Sequence, residues 1–192
     1  GCRFERLTAP RIYYVKRAED GGSDSADGRT LATAFATIQM AVNVVAGLDI
    51  NACNVTIEVA GGTYSAGVLL PNVIGYAMPG NLVIKGSGSS TIISTAGTCV
   101  AASAISTTWD IKNMALTSSS GHCLSADTGA SLRFSGINFG YSGGNHIHAA
   151  DGGAIACIGP YSISGSPAYH IYCQAGTVGI GGVEVKFENN IQ

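Results

Sequence analysis

Three segments decide the fold: GHCLSADTG at 121–129, NHIHAADGG at 145–153 and YHIYCQAGT at 169–177. Aligned on their histidines, they recur along the chain at a constant spacing of 24. Repetition at one spacing in a glycine-rich sequence with short apolar stretches is typical of a solenoid, in which each repeat forms one coil. The histidines and aspartates of these segments are therefore either a metal or catalytic cluster or the visible part of a stacked structure.

A second apolar pattern repeats beside the first, at spacings of 23, then 24, then 22. Its expected inward positions are Trp109, Ile111, Met114 and Leu116; Leu132, Phe134, Ile137 and Phe139; Ala156, Ile158, Tyr161 and Ile163; and Val178, Ile180, Val183 and Val185. Alternating side chains point to opposite sides of a strand. The pattern predicts an all-β fold, a parallel β-helix with 22–24 residues per coil, whose coils lie about 4.8 Å apart. A leucine-rich repeat has a similar period, but its LxxLxLxxN pattern is absent.

In this winding His122, His146 and His170 form one column on the outside of the solenoid, roughly one rung apart. Cys123 and Ile147 point inward. Stacking is the favoured interpretation of the column. A metal ion shared by imidazoles one rung apart is the alternative. We expect no metal ion and no other cofactor.

A second outward column is expected to hold Leu124, His148 and Tyr172. We favour a contact with a neighbouring subunit for it, and contact with sugar rings is the alternative. No catalytic residue is assigned. The candidate binding residues are therefore His122, His146, His148, His170 and Tyr172.

The carboxylates have two interpretations. Asp127 and Asp151 are expected to form a short column in glycine-flanked turns, where Asp caps backbone donors. A pair about 5–5.5 Å apart would alternatively suit a retaining glycosidase. Asp110 and Arg133, at a spacing of 23, are expected to form an exposed ion pair of small energetic value.

The loop at 19–29 contains Asp20, Asp24 and Asp27, for which local capping is favoured over a cation site because the EF-hand spacing is absent. The six cysteines include no CxxC pair. Cys99 and Cys123 are expected to be adjacent, buried free thiols.

The N-terminal third differs from the repeats. A strand is expected over residues 12–15, followed by the polar loop and a helix over 35–48 whose apolar stripe faces the first coil. Thr33 is the expected N-cap, and Gly47 ends the pattern. Such a helix would cap the open end of the solenoid. We therefore divide the chain into an N-terminal arm, strand, loop and capping helix (1–53) and the β-helix coils (54–192).

Charge excludes some partners. Only 11% of residues are charged and the net charge is −2, which disfavours nucleic acid because such partners select a basic surface. No apolar run reaches the ~18–20 residues of a membrane span, so membrane insertion is not expected.

The stretches IYYVKRAEDGGSDSADGR, FATIQMAV and VTIEVAGGTY together resemble the start of pectin-lyase-like right-handed β-helix proteins, and more closely phage and prophage tailspikes and receptor-binding fibres. The resemblance covers roughly residues 8–140. It implies a homotrimer in the virion tail that attaches to bacterial surface polysaccharide. The superfamily's enzymes use paired aspartates with arginine, or calcium-binding carboxylates with a basic residue, and neither set can be carried over here.

Two functions remain open after this comparison. The favoured one is a structural or receptor-binding tail component. The alternative is a polysaccharide-degrading glycosidase or lyase whose active site lies between subunits or beyond residue 192. A secreted or cell-surface protein is the alternative to the virion tail.

Overall fold

The computed structural model describes residues 4–187, and in it the chain winds into a parallel β-solenoid of about six turns. Strands are numbered in chain order, and each full coil contributes strands to three faces. Face 1 contains β2 (Arg11–Val15), β4 (Val55–Val59), β7 (Leu82–Gly86), the first halves of β10 (Thr108–Ser118) and β12 (Ser131–Ser142), β14 (Ala154–Cys157) and β17 (Thr177–Gly179).

Face 2 contains β5 (Gly62–Tyr64), β8 (Thr91–Thr95), the second halves of β10 and β12, β15 (Tyr161–Ile163) and β18 (Val185–Phe187). Face 3 contains β6 (Val68–Leu70), β9 (Val100–Ser103), β11 (Leu124–Asp127), β13 (Asn145–Ala150) and β16 (Tyr169–Gln174). A short parallel pair, β1 (Glu5–Arg6) with β3 (Leu48–Asp49), precedes the second coil. The predicted all-β solenoid is confirmed.

The observed register confirms the predicted period for the later coils only. Trp109 pairs with Leu132 and Leu132 with Ile155, so the step between paired positions is 23 each time. Leu82 pairs with Val55 and with Trp109, so the two earlier steps are longer, at 27 each. The longer coils hold larger loops, such as the one at 71–81 between β6 and β7.

Two members of one expected inward set, Ala156 and Ile158, are wrong by a single position, whereas Tyr161 and Ile163 of the same set are buried as predicted. Ile155 and Cys157 of β14 are buried and pair with Leu132 and Phe134, whereas Ile158 is 41% exposed. The corner after β14 contains one more residue than the corner after the first half of β12. Paired positions are therefore 23 residues apart before this corner and 24 residues apart after it. A one-residue slip moves every side chain to the opposite side of a strand.

The core is a stack of large apolar side chains from successive coils. Trp109 is fully buried, and its indole N–H donates to the carbonyl of Pro71 at 3.1 Å. A buried indole needs such a partner, because an unpaired polar group in an apolar core costs about 1–3 kcal/mol. Cys99 and Cys123 are buried free thiols, as predicted. The neighbouring Cys99 thiol and burial raise the pKa of Cys123.

The predicted helix is present but shorter. Helix α1 spans Ile38–Ala46 and ends at Gly47, as predicted. Its N-cap is Thr37, whose hydroxyl accepts the Met40 N–H at 3.1 Å, so the assignment of Thr33 was wrong.

Two contacts explain the later start of α1. Phe35 forms a parallel bridge with Val15, which keeps its backbone extended. Asp24 accepts hydrogen bonds from the N–H groups of Ala36 at 2.8 Å and Thr37 at 2.9 Å, and from the Thr37 hydroxyl at 2.9 Å. Asp24 therefore has the local capping role that the sequence favoured.

Candidate functional site

The four histidines lie in two separate pairs rather than in one column. Leu124 pairs with Ile147, a step of 23, whereas Ile147 pairs with Ile171, a step of 24. His122 consequently lies beside Asn145, not beside His146, and Asn145 donates its N–H to His122 Nδ1 at 2.9 Å. The predicted column was therefore wrong for His122, whereas His146 and His170 do lie on adjacent rungs at the predicted step of 24.

His122, His148 and Tyr172, here called the outer ridge, lie on the outside of face 3. The rings of His122 and His148 stack at a centroid distance of 4.2 Å and an angle of 9°. The Tyr172 ring follows at 5.4 Å from His148, at 1°. Leu124 was expected in this column, but it is fully buried and Ser125 takes that place beside His148.

Two side chains of β11, on the preceding coil, contact His148 of the ridge. His148 Nδ1 lies 3.3 Å from Asp127 Oδ1 and 3.3 Å from the Ser125 hydroxyl oxygen. The Ser125 hydroxyl donates to Asp127 Oδ2 at 2.8 Å. The imidazole is therefore hydrogen-bonded to Ser125, while Asp127 Oδ1 is a buried carboxylate oxygen close to the ring that accepts no hydrogen bond from the described residues.

The predicted column of Asp127 and Asp151 does not form. Ala126 pairs with Ala149, so Asp127 falls beside Ala150. Asp151 instead matches Thr128: both have left-handed backbone angles, with φ of 48° and 53°. Asp151 is exposed in its turn, and the two carboxylates do not occupy equivalent positions.

The outer ridge has hydrogen-bonding groups at both ends. Burial lowers the pKa of His122, as does the adjacent His148, while Asp127 opposes both effects. In the neutral ring Nδ1 accepts from Asn145, so Nε2 carries the hydrogen and can donate. Tyr172 donates its hydroxyl to Gln174 at 3.1 Å, which leaves its oxygen able to accept.

Tyr169 extends the outer ridge, and the sequence reasoning did not single it out. Its ring lies 5.9 Å from that of Tyr172, tilted by 40°, and the residue is 62% exposed. An exposed tyrosine ring offers an apolar face together with a polar hydroxyl. Its position next to His170 in the third quoted segment was the available signal.

His146 and His170, here called the inner pair, do not point outward as predicted. His146 is fully buried, and its ring stacks on Phe139 at 5.2 Å. Its Nε2 lies 2.7 Å from the Gly140 carbonyl, and its Nδ1 lies 3.0 Å from His170 Nδ1. His170 Nε2 in turn lies 2.9 Å from the Tyr161 hydroxyl.

The hydrogens of this network can be assigned from its chemistry. The Gly140 carbonyl only accepts, so the N–H of neutral His146 is on Nε2 and its Nδ1 accepts. His170 must then donate from Nδ1 and accept from the Tyr161 hydroxyl at Nε2. Burial lowers the pKa of His146 to about 4, although the Gly140 carbonyl opposes the shift. Burial also lowers the pKa of His170.

The ion pair on face 1 has the predicted register but not the predicted exposure. Asp110 is fully buried and accepts from Arg133 Nε and Nη2, both at 2.7 Å. Lys112 Nζ lies 3.1 Å from Asp110 Oδ2. The hydrogen bond with Asp110 raises the pKa of Arg133 despite partial burial. This is a buried carboxylate between two cations, so breaking it should be costly.

The remaining candidates have local partners. Asp20 accepts from Arg17 at 2.8 Å, and Asp27 accepts from the Arg29 N–H at 3.0 Å. Within residues 4–187, no group of three or more His, Cys, Asp or Glu side chains could hold a metal ion. No described helix is both long and apolar enough to cross a membrane.

No family model matches this chain, and neither a curated protein nor a solved structure is significantly similar to it. The parallel β-solenoid is therefore established by the strand pairing in the structure and not by a relative. The resemblance to phage tail proteins stays a prediction.

Proposed function

We propose that this chain is a structural, polysaccharide-binding component of a phage or prophage tail, and that it binds glycan along the outer ridge. The observation that carries the binding proposal is the row of His122, His148 and Tyr172 rings on a flat parallel face. The tail location and a homotrimeric assembly rest on the sequence resemblance alone.

The ridge chemistry suits carbohydrate. The rings cover one another's faces, so the ridge offers polar ring edges: a donor at His122 Nε2 and an acceptor at the Tyr172 hydroxyl. Sugar hydroxyls both donate and accept hydrogen bonds, and these two groups lie two rungs apart, with the His148 ring between them. Tyr169 adds an exposed ring on which a sugar ring can stack.

The test is a binding panel of bacterial capsule and pectic polysaccharides, measured by calorimetry on the whole chain. We expect at least one glycan to bind and Tyr172→Ala to weaken that binding. Tyr14→Ala is the matched control, because Tyr14 lies on β2 of face 1, at the opposite end of the solenoid. Equal loss in both variants, or no binding across the panel, would contradict the proposal.

A second candidate, cleavage of polysaccharide, is favoured by the contact between Asp127 and His148. A carboxylate 3.3 Å from an imidazole nitrogen, linked to it through the Ser125 hydroxyl, could move into a direct hydrogen bond and orient a general base when substrate binds. The same panel is therefore assayed for reducing ends and unsaturated products. Turnover that His148→Gln abolishes would replace the non-enzymatic proposal with this one.

Assembly is tested separately by light scattering. The proposed tail component has the solution mass of three chains. A stable monomer at all concentrations would contradict the trimer and leave the ridge proposal intact.

A further inference from the structure

The inner pair joins the last two full coils at one corner of the solenoid. His146 is the second residue of β13 and His170 is the second residue of β16, the next strand of face 3. The side chains of β16 are otherwise exposed or half-buried, and Ile171 is only partly buried against the core. The histidine contact adds to the backbone pairing of β16 with β13 and to the stacking of Tyr172 on His148.

The geometry points to an acid-sensitive latch: we propose that the inner pair holds the coil containing β16 on the solenoid when both rings are neutral and releases it on protonation. The proposal is independent of the glycan proposal. It rests on the 3.0 Å separation of the two Nδ1 atoms, between which only one hydrogen fits.

Counting protons shows why acid opens the contact. The neutral network has three donors for three acceptors: the Tyr161 hydroxyl, His170 Nδ1–H and His146 Nε2–H. One added proton makes both His146 nitrogens donors. His170 must then move its hydrogen to Nε2, where it donates to the Tyr161 hydroxyl oxygen, so the hydroxyl hydrogen loses its acceptor while the contact between the two Nδ1 atoms survives. A second proton sets two N–H groups against each other.

The surroundings offer little compensation for a positive charge: the Gly140 carbonyl favours the charged form of His146, but burial outweighs it. Packed against the pair are Phe139 and Gly140 of β12 and Tyr161 of β15, whose pKa is raised by burial and by Cys157 of β14. No carboxylate among the described residues raises the pKa of either histidine to offset the effect of burial. A protonated ring is therefore less stable in this buried corner than in an open state where water reaches it.

Hydrogen exchange on the whole chain tests the latch. Protection of residues 169–174, corrected for intrinsic exchange, should fall by about tenfold or more between pH 7 and 4.5, since an open state that binds protons is then favoured. Protection of β4 in the second coil should exceed that of residues 169–174 at both pH values, because release of the last coil leaves the second coil folded. Equal protection of the two regions at pH 4.5 would overturn the proposal.

His146→Gln is the decisive variant. A glutamine amide can donate to Gly140 and accept from His170 Nδ1–H whether His170 is neutral or charged, so the acid dependence should be largely lost. His148→Gln is the matched control, because it removes one histidine from the outer ridge and should keep the full dependence. Full dependence in His146→Gln would overturn the latch.

A measurement on the unmodified chain covers the case in which His146→Gln does not fold. Imidazole ¹⁵N spectra at pH 7 should show His170 with its hydrogen on Nδ1 and His146 with its hydrogen on Nε2. His146 should stay neutral at pH 5.5. Protonation of His146 near its ordinary value of 6.5 would contradict the proposal.

Discussion

The side-chain amide of Gln39 pairs with the backbone of Leu69 in both directions. Its oxygen accepts the Leu69 N–H at 2.8 Å, and its nitrogen donates to the Leu69 carbonyl at 3.1 Å. Leu69 lies in β6, the terminal strand of face 3, and Gln39 lies on α1. The amide thus occupies the place of a further strand, which blunts an edge that could otherwise pair with another chain.

Gln39→Ala should therefore expose the β6 edge. We expect a loss of about 1–2 kcal/mol in the free energy of unfolding and faster aggregation on warming, because two backbone groups lose their partners. Gln39→Glu keeps the acceptor and loses the donor, so its effect should be smaller. Urea unfolding and light scattering measure both, and an alanine variant indistinguishable from the parent would refute the role.

Arg133→Met should leave the buried Asp110 carboxylate with Lys112 alone. Removing one partner of a buried pair typically costs about 3–5 kcal/mol. Lys85→Met is the control, because Lys85 and its partner Glu58 are both substantially exposed, 3.1 Å apart, and such pairs contribute about 0–1 kcal/mol. Urea midpoints that fall equally in the two variants would contradict the assignment of Asp110 as buried and dependent on Arg133.

Stability should decrease on mild acidification because of His146. The unfolded chain binds a proton below its ordinary pKa of 6.5, whereas the folded chain binds it only below about 4. The stabilisation is complete above pH 6.5 and is lost as the pH falls towards 4, by roughly 3 kcal/mol from this group. Urea unfolding at pH 7, 5.5 and 4.5 measures how the free energy of unfolding changes with pH. This dependence should be weaker in His146→Gln.

Gly153→Ala should disturb the turn where two coils touch. A Cβ atom at Gly153 would lie 1.9 Å from the Ala126 carbonyl oxygen, whereas one at Gly181 meets nothing within 4 Å. We expect a loss of more than about 2 kcal/mol for Gly153→Ala, the range of substitutions that force backbone apart. Gly181→Ala should change stability little. Equal thermal midpoints would show that the coils are less closely stacked than described.

The repeat was readable from sequence because inward side chains must match from coil to coil. Trp109, Leu132 and their neighbours share one face, so their spacing reports the winding directly. The spacing of identical residues was a less reliable guide to which residues lie side by side on adjacent coils. His122 and His146 are at a spacing of 24, yet the strands that contain or adjoin them pair at 23, because one corner is shorter by a single position.

The division into outer ridge and inner pair could not be predicted for the same reason. One member of each pair, His148 and His146, lies on β13, and the two are separated by one residue. Only the geometry of the preceding corner decides that His146 turns inward towards Phe139. The contact of Tyr161 with His170 crosses from face 2 to face 3, which no periodicity encodes. The N-cap was misplaced because Asp24, thirteen residues upstream, fixes Thr37.

The central claim is that the outer ridge binds glycan while the inner pair holds coils together. Imidazole NMR signals of the whole chain, followed while a bound glycan fragment is titrated in, test it directly. We expect the His122 and His148 signals to move and those of His146 and His170 to stay in place. Shifts confined to His146 and His170, or absent from all four rings while the glycan binds, would contradict it.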